Sequence, residues 1–94
     1  MLISIALDFR RATLKTRERF HLGEDEVRRL IAGRPSALVR ELALVSTCNR
    51  LELYAWSGAT DPEGEAEAFR ELADRWTGYD DARARELDTL AIRR

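Results

Sequence analysis

The single cysteine of the chain, Cys48, is the residue whose chemistry and position are most informative. It follows one run of alternating apolar residues and precedes another, and Arg50 comes two positions later. A cation close to a thiol stabilises the thiolate, which is the nucleophilic form. Such a thiolate can attack an activated carbonyl and hold the acyl group as a thioester. In that arrangement Thr47 or Asn49 would hydrogen-bond the substrate, and Arg50 would pair with its carboxylate or phosphate.

A second interpretation gives the thiol no chemical role, because an isolated cysteine is most often a small buried apolar residue. No general base is evident beside Cys48. The only histidine, His21, is remote in sequence from the turn and lies just before Gly23, between two predicted helical segments. A lone histidine without a carboxylate partner is expected at the surface or in packing contacts. Residue types alone leave both interpretations of Cys48 open.

Length and composition limit the chain to one small domain spanning residues 1–94. Its 94 residues are 45% hydrophobic, which suffices for a core near the lower size limit. One cysteine excludes an intramolecular disulfide and any zinc site built on paired cysteines, so we predict no metal site and a reduced, cytoplasmic environment. The opening apolar run is too short to span a membrane, and no membrane association is expected.

The apolar periodicity predicts the secondary structure. Residues 2–8 have the composition of a buried strand. A short helical turn is predicted near 13–20, followed by a break at Gly23. A helix then begins at Glu24 and ends near Gly33 and Pro35. Val27, Leu30 and Ile31 share one face of that helix. Residues 41–56 alternate with a period of two, and the break at Cys48-Asn49 predicts a tight hairpin.

The second half of the chain predicts more helix. Thr60 or Asp61, followed by Pro62, is a typical helix start, and a helix of about four turns should end at Gly78. Its apolar stripe consists of Ala66, Phe69, Leu72, Ala73 and Trp76. A shorter helix around 80–86 and a last edge strand within "LDTLAIRR" complete the order β-α-β-β-α-β. We therefore predict an α+β fold, a ferredoxin-like split β-α-β-β-α-β sandwich whose helices cover one face of an antiparallel sheet.

The stretch "STCNRLELYA" resembles a known signature. It is similar to the glutamyl-tRNA reductase family, whose N-terminal catalytic domain carries Ser-Thr-Cys-Asn-Arg followed by a short Glu-(Leu/Ile)-Tyr strand. Upstream, "RERFHLGEDEV" resembles the family's Arg-Glu-x-(hydrophobic) helix and the helix start after it. The resemblance covers residues 3–57 well and 58–94 loosely.

The resemblance implies a specific chemistry. The family's cysteine attacks the ester carbonyl of glutamyl-tRNA, releases the tRNA and leaves a glutamyl thioester. NADPH then reduces this thioester to glutamate-1-semialdehyde, the precursor of 5-aminolevulinate and of haem. By matching position, Cys48 would be the nucleophile, Thr47, Asn49 and Arg50 would line the glutamyl site, and glutamyl-tRNA would be the partner.

The segment after the first strand departs from the family pattern. Family members read Gly-Leu-(Ser/Asn)-His-(Lys/Arg)-Thr-Ala-Pro there, whereas this chain reads "ALDFRRAT". Ala6, Asp8, Phe9, Arg11 and Thr13 stand at the glycine, small polar, histidine, threonine and proline positions. Asp8 brings a negative charge near the expected position of a glutamate substrate, which argues against the ordinary substrate.

Three further family features do not occur in these 94 residues: the glycine-rich nucleotide-binding domain, the helical dimerisation domain and the second catalytic histidine. This chain alone is therefore expected to bind no NADPH in the family's manner, and the hydride step would need a nucleotide domain supplied by a separate chain. Whether the chain is an enzyme by itself stays open.

Two alternatives to catalysis remain. A non-catalytic homologue could act as a tRNA-, haem- or enzyme-binding regulatory module, and haem ligation by Cys48 or His21 is chemically feasible. Alternatively, the chain is a small α+β domain of unrelated function in which Cys48 is inert.

Overall fold

The computed structural model of the chain describes residues 1–8, 13–33, 36–46 and 50–94, and the side chain of Arg17 is outside that description. Four strands and four helices form in these ranges. In chain order they are β1 (Leu2–Asp8), α1 (Leu14–Arg19), α2 (Glu24–Ala32), β2 (Glu41–Ser46), β3 (Arg50–Trp56), α3 (Pro62–Thr77), α4 (Asp81–Leu90) and β4 (Ile92–Arg93).

The four strands form one antiparallel sheet in the order β2-β3-β1-β4. All seven residues of β1 pair with β3, from Leu2 opposite Trp56 to Asp8 opposite Arg50. The predicted α+β class and antiparallel sheet are confirmed. The more specific ferredoxin-like topology stays a prediction, because each of the two connections that cross between strands contains two helices where that topology has one.

The signals at the helix ends act as the sequence predicts. Asp61 is the N-cap of α3, and its Oδ1 accepts a hydrogen bond of 2.7 Å from the backbone N–H of Gly64. Pro62 occupies the first turn, where it has no hydrogen-bonded N–H to lose. The helix ends at Gly78, whose φ of 67° lies in the left-handed region that favours glycine. The predicted bounds of this helix are therefore confirmed.

Some sequence-based expectations differ from the structure in detail. The helix predicted around 80–86 continues to Leu90, so the final strand is shorter than expected and contains only Ile92 and Arg93. Ile31 is 53% exposed, and Ala66 is also exposed, although both were assigned to apolar faces. The buried alanine of this part of α3 is Ala68. One residue of each predicted apolar stripe therefore lies outside the core.

The core lies between one face of the sheet and the helices. Alternate residues of the two central strands, Ile3, Ile5, Leu7, Leu53 and Ala55, cluster with buried residues of α2, α3 and α4. Full burial of one such large apolar side chain stabilises a fold by about 1.5–3 kcal/mol. The predicted core position of Trp76 is confirmed, since its side chain is 2% exposed. Trp56, by contrast, is 49% exposed.

The segment between α1 and α2 is attached to this core through Phe20, which is fully buried. The indole Nε1 of Trp76 donates a hydrogen bond of 2.8 Å to the backbone carbonyl of Phe20. The guanidinium groups of Arg19 and Arg83 lie 5.6 and 5.5 Å from the centre of the Phe20 ring. These contacts connect the end of α1 to α3 and α4. No helix in the described ranges is both long enough and apolar enough to cross a membrane.

Candidate functional site

One end of the sheet brings together the residues on both sides of the cysteine segment and the end of the first strand. β2 ends at Ser46, β3 begins at Arg50, and Asp8 at the end of β1 is the cross-strand partner of Arg50. Cβ atoms of directly opposite residues in an antiparallel pair are about 4.5–5.5 Å apart. Of the predicted site residues, the structure describes Arg50, whereas Thr47, Cys48 and Asn49 lie outside the described residues, as do residues 9–12.

The side chain of Arg50 is oriented by a carboxylate on its own strand. Its Nε lies 2.6 Å from Oε1 of Glu52, and the two side chains are 41% and 13% exposed. The other carboxylate oxygen of Glu52, Oε2, accepts a hydrogen bond of 2.7 Å from the hydroxyl of Tyr54. Residues two apart on a strand point to the same face. Arg50, Glu52 and Tyr54 therefore form a row of polar side chains on the sheet face opposite Leu53 and the core.

The interaction with Glu52 changes the acidity of Tyr54. The hydrogen bond to the carboxylate is the largest cause that raises the pKa of the Tyr54 phenol above its usual value of 10.0, and partial desolvation and the negative charge of Glu52 act in the same direction. The positive charges of Arg50 and Arg94 lower this pKa by smaller amounts. Tyr54 therefore stays a hydrogen-bond donor that holds Glu52 toward Arg50 at neutral pH.

Asp8 adds a second carboxylate near Arg50. Asp8 is only 9% exposed, so its carboxylate is largely shielded from bulk solvent. The contact with Glu52 holds the guanidinium of Arg50 in one place and compensates part of its charge, while its planar group still carries further N–H donors. Such a group can bind an incoming carboxylate or phosphate, although with less electrostatic attraction than an isolated arginine.

Two members of this row, Glu52 and Tyr54, were not assigned a role from the sequence. A usable signal was present, because opposite charges two residues apart on a strand share a face and lie within reach of an ion pair. The pairing of Asp8 with Arg50 had no comparable local signal, because 41 residues separate them in the chain.

His21 is exposed, in agreement with a surface or packing role. Among the described residues there is no group of three or more His, Cys, Asp or Glu side chains that could hold a metal ion. A haem site based on Cys48 falls outside the described residues.

The fold and site define a small α+β domain with a charged cluster at one end of an antiparallel sheet. Residues 5–93 match the family described as glutamyl-tRNAGlu reductase, N-terminal domain. The chain is 34% identical over 83 residues to the glutamyl-tRNA reductase of Chlorobium chlorochromatii, which is 87% of this chain and 18% of that protein. It is 37% identical over 65 residues to the same enzyme of Pelodictyon phaeoclathratiforme, 68% of this chain and 15% of the relative.

A third relative, the glutamyl-tRNA reductase of Teredinibacter turnerae, is 43% identical over 60 residues, which is 62% of this chain and 14% of that protein. The family match covers nearly the whole chain, so the chain belongs to the glutamyl-tRNA reductase N-terminal domain family, as the signature predicts. It spans less than a fifth of the length of these three relatives.

Proposed function

We propose that this domain performs the acyl-transfer step of a glutamyl-tRNA reductase and so acts in tetrapyrrole biosynthesis. Cys48 is the nucleophile, and Thr47, Asn49 and Arg50 line the site for the glutamyl group. The observation that carries the proposal is the position of Arg50: a partly exposed guanidinium, oriented by Glu52, at the first residue of β3 and two residues after Cys48. Family membership supplies the reaction class.

In the proposed step the Cys48 thiolate attacks the carbonyl carbon of the ester that joins glutamate to the terminal ribose of its tRNA. A carbon–sulfur bond forms and the ester carbon–oxygen bond breaks. The ribose oxygen leaves with the proton that the thiol gave up, so the products are a glutamyl thioester and free tRNA. Arg50 binds the substrate's side-chain carboxylate, for which its planar row of donors is suited.

NADPH supplies the hydride for the later reduction in the family's chemistry. The described residues do not fit such a cofactor, because the five glycines of the chain are isolated and form no Gly-x-Gly-x-x-Gly turn between a strand and a helix. We therefore assign no step through NADPH to these residues and place the reduction in a separate nucleotide domain.

The proposal is tested by mixing the 94-residue chain with tRNA carrying radiolabelled glutamate. We expect a labelled protein adduct that hydroxylamine removes, and no adduct with Cys48→Ala or with protein first alkylated by iodoacetamide at neutral pH. Circular dichroism of the variant is the control for folding, since Cys48→Ala should cost little stability if the thiol is exposed. Failure of folded, alkylatable wild-type protein to form the adduct would refute the acyl-transfer role.

One observation favours a second candidate, a non-catalytic binding module of the same family. Arg50 already has Glu52 on its own strand and Asp8 opposite it, so part of its charge is compensated within the domain. In that case tRNA, haem or a full-length reductase would bind without an adduct, and binding would survive Cys48→Ala. Titration of each of these three ligands into the wild type and the variant separates the two candidates.

A further inference from the structure

A cavity among the helices combines positively charged residues with an exposed aromatic ring. It has a volume of about 340 Å³ and lies among α2, the end of α3 and the start of α4. Its charged lining residues are three arginines and one glutamate, Arg29, Arg75, Arg83 and Glu26. The aromatic ring is that of Tyr79, which is 67% exposed.

Two of these arginines are held in place by the fold. The side chain of Arg75 is only 9% exposed and lies 3.5 Å from a carboxylate oxygen of Glu71. Arg83 donates a hydrogen bond of 2.8 Å from Nη2 to the backbone carbonyl of Arg19, and its guanidinium lies over the ring of Phe20. Side chains that are already ordered lose little conformational entropy when an anion binds to them.

Tyr79 is held at the cavity in an unusual backbone conformation. Its φ of 65° makes it the one non-glycine residue with positive φ in the described ranges, and it directly follows Gly78, which has a φ of 67°. Its backbone N–H donates a hydrogen bond of 2.7 Å to the carbonyl of Asp74. A left-handed conformation at a residue with a side chain costs about 1–2 kcal/mol. The fold therefore keeps a large, exposed aromatic ring at a position where glycine would fit better.

We propose that this cavity binds a phosphate-bearing nucleotide, with the phosphate on the arginines and the base stacked on Tyr79. Guanidinium groups bind phosphate oxygens through paired N–H donors, and an exposed ring stacks on a base of any sequence. Glu71, which pairs with Arg75, together with Glu26 and the negative end of the α3 dipole, about half a charge, offsets most of the three positive charges. The phosphate contact therefore depends on hydrogen bonds from the guanidinium groups more than on net charge. The bound nucleotide is either part of an RNA strand or a free mononucleotide.

This inference is independent of the thioester chemistry, since no residue of the cavity belongs to the site at the end of the sheet. The test uses amide NMR shifts of the 94-residue chain during titration with three ligands: a six-residue oligoadenylate RNA, adenosine monophosphate and inorganic phosphate. The variants are Arg29→Ala and Tyr79→Gly. The matched control is Arg28→Ala, because Arg28 is exposed on the same helix, does not line the cavity and pairs with Glu24.

We expect saturable chemical-shift changes at the cavity residues. The affinity obtained from them should fall at least about tenfold in Arg29→Ala and in Tyr79→Gly, but not in Arg28→Ala. Tyr79→Gly also relieves the backbone strain, so a loss of binding in that variant does not reflect unfolding. Binding of the RNA alone identifies a strand as the source, and equal binding of adenosine monophosphate identifies a free nucleotide. The inference is overturned by the absence of saturable shifts, by equal effects of the two arginine variants, or by binding of inorganic phosphate alone.

Discussion

Asp8 and Arg50 face each other across the β1–β3 pair, at the last position of one strand and the first position of the other. Asp8 stands where the family pattern has a small uncharged polar residue, so this chain has an acid next to the arginine proposed to bind the glutamyl carboxylate. The strand register places that acid directly opposite Arg50. We therefore expect Asp8 to reduce the net positive charge around Arg50 without preventing the glutamyl group from binding there.

Replacement of Arg50 should impair adduct formation more than folding. We expect Arg50→Ala to slow formation of the labelled adduct by about tenfold or more at subsaturating substrate, because a charged hydrogen bond contributes about 1.5–3 kcal/mol. The partly exposed ion pair with Glu52 should contribute less than about 1 kcal/mol to stability. Arg50→Lys should restore part of the rate, since it keeps the charge but not the planar donors.

The control for Arg50 is Arg40→Ala. Arg40 is exposed, and its backbone N–H donates a hydrogen bond to the carbonyl of Trp56 at the opposite end of β3. Adduct formation is measured at several concentrations of charged tRNA with both variants. Equal rates for the two variants would remove Arg50 from the proposed glutamyl site.

The titration of Tyr54 should depend on Glu52. In Glu52→Gln the carboxylate charge is lost and the hydrogen bond weakens, so the pKa of Tyr54 should fall toward its usual value of 10.0. The measurement is the ultraviolet absorbance of phenolate against pH, with Tyr54→Phe subtracted to isolate this residue. An unchanged titration in Glu52→Gln would mean that the hydrogen bond does not persist in solution.

The same interaction gives the stability of the domain a defined pH dependence. The folded protein holds the Tyr54 proton more tightly than the unfolded chain, so the stabilisation is fully present below the unfolded pKa near 10. It is lost as the pH rises through the higher folded pKa. Urea unfolding at increasing alkaline pH should show a loss of stability in the wild type that is smaller in Tyr54→Phe.

The hydrogen bond between Trp76 and Phe20 should be important for stability. Trp76→Phe removes the indole N–H and leaves the buried carbonyl of Phe20 without its donor, which costs about 1–3 kcal/mol before any loss of packing. Trp56→Phe, at a half-exposed position, should change stability by less than about 0.5 kcal/mol. Urea unfolding followed by circular dichroism compares the two, and similar midpoints would contradict the role of Trp76.

A side chain at Gly58 is expected to destabilise the fold. A Cβ at this position would lie 2.4 Å from the backbone carbonyl oxygen of Ala37, to which Gly58 also donates a hydrogen bond of 3.1 Å. Gly58→Ala should therefore cost about 1–3 kcal/mol through overpacking. Gly78→Ala is the comparison, since its Cβ would contact nothing within 4 Å and its cost arises from positive φ alone, about 1–2 kcal/mol. Thermal unfolding of the two variants measures both costs.

The sequence by itself determined the types and most of the bounds of the secondary structure. The start of α3 at Pro62 and its end before Gly78 follow from cap residues that act within a few positions of themselves. β1, β2 and β3 follow from apolar composition and a period of two, and the Ser-Thr-Cys-Asn-Arg signature was sufficient to indicate the family. Each of these signals is local, so it can be interpreted without knowledge of which segments meet.

Only the tertiary structure decided which distant residues share a site. Strand register placed Asp8 beside Arg50, and helix packing brought Arg29, Arg75 and Arg83 to one cavity. It also brought the carbonyl of Phe20 to the indole of Trp76, 56 positions away in the chain. The physical reason is that periodicity specifies which face of an element is buried, whereas its partner is chosen by the simultaneous packing of all elements around one core.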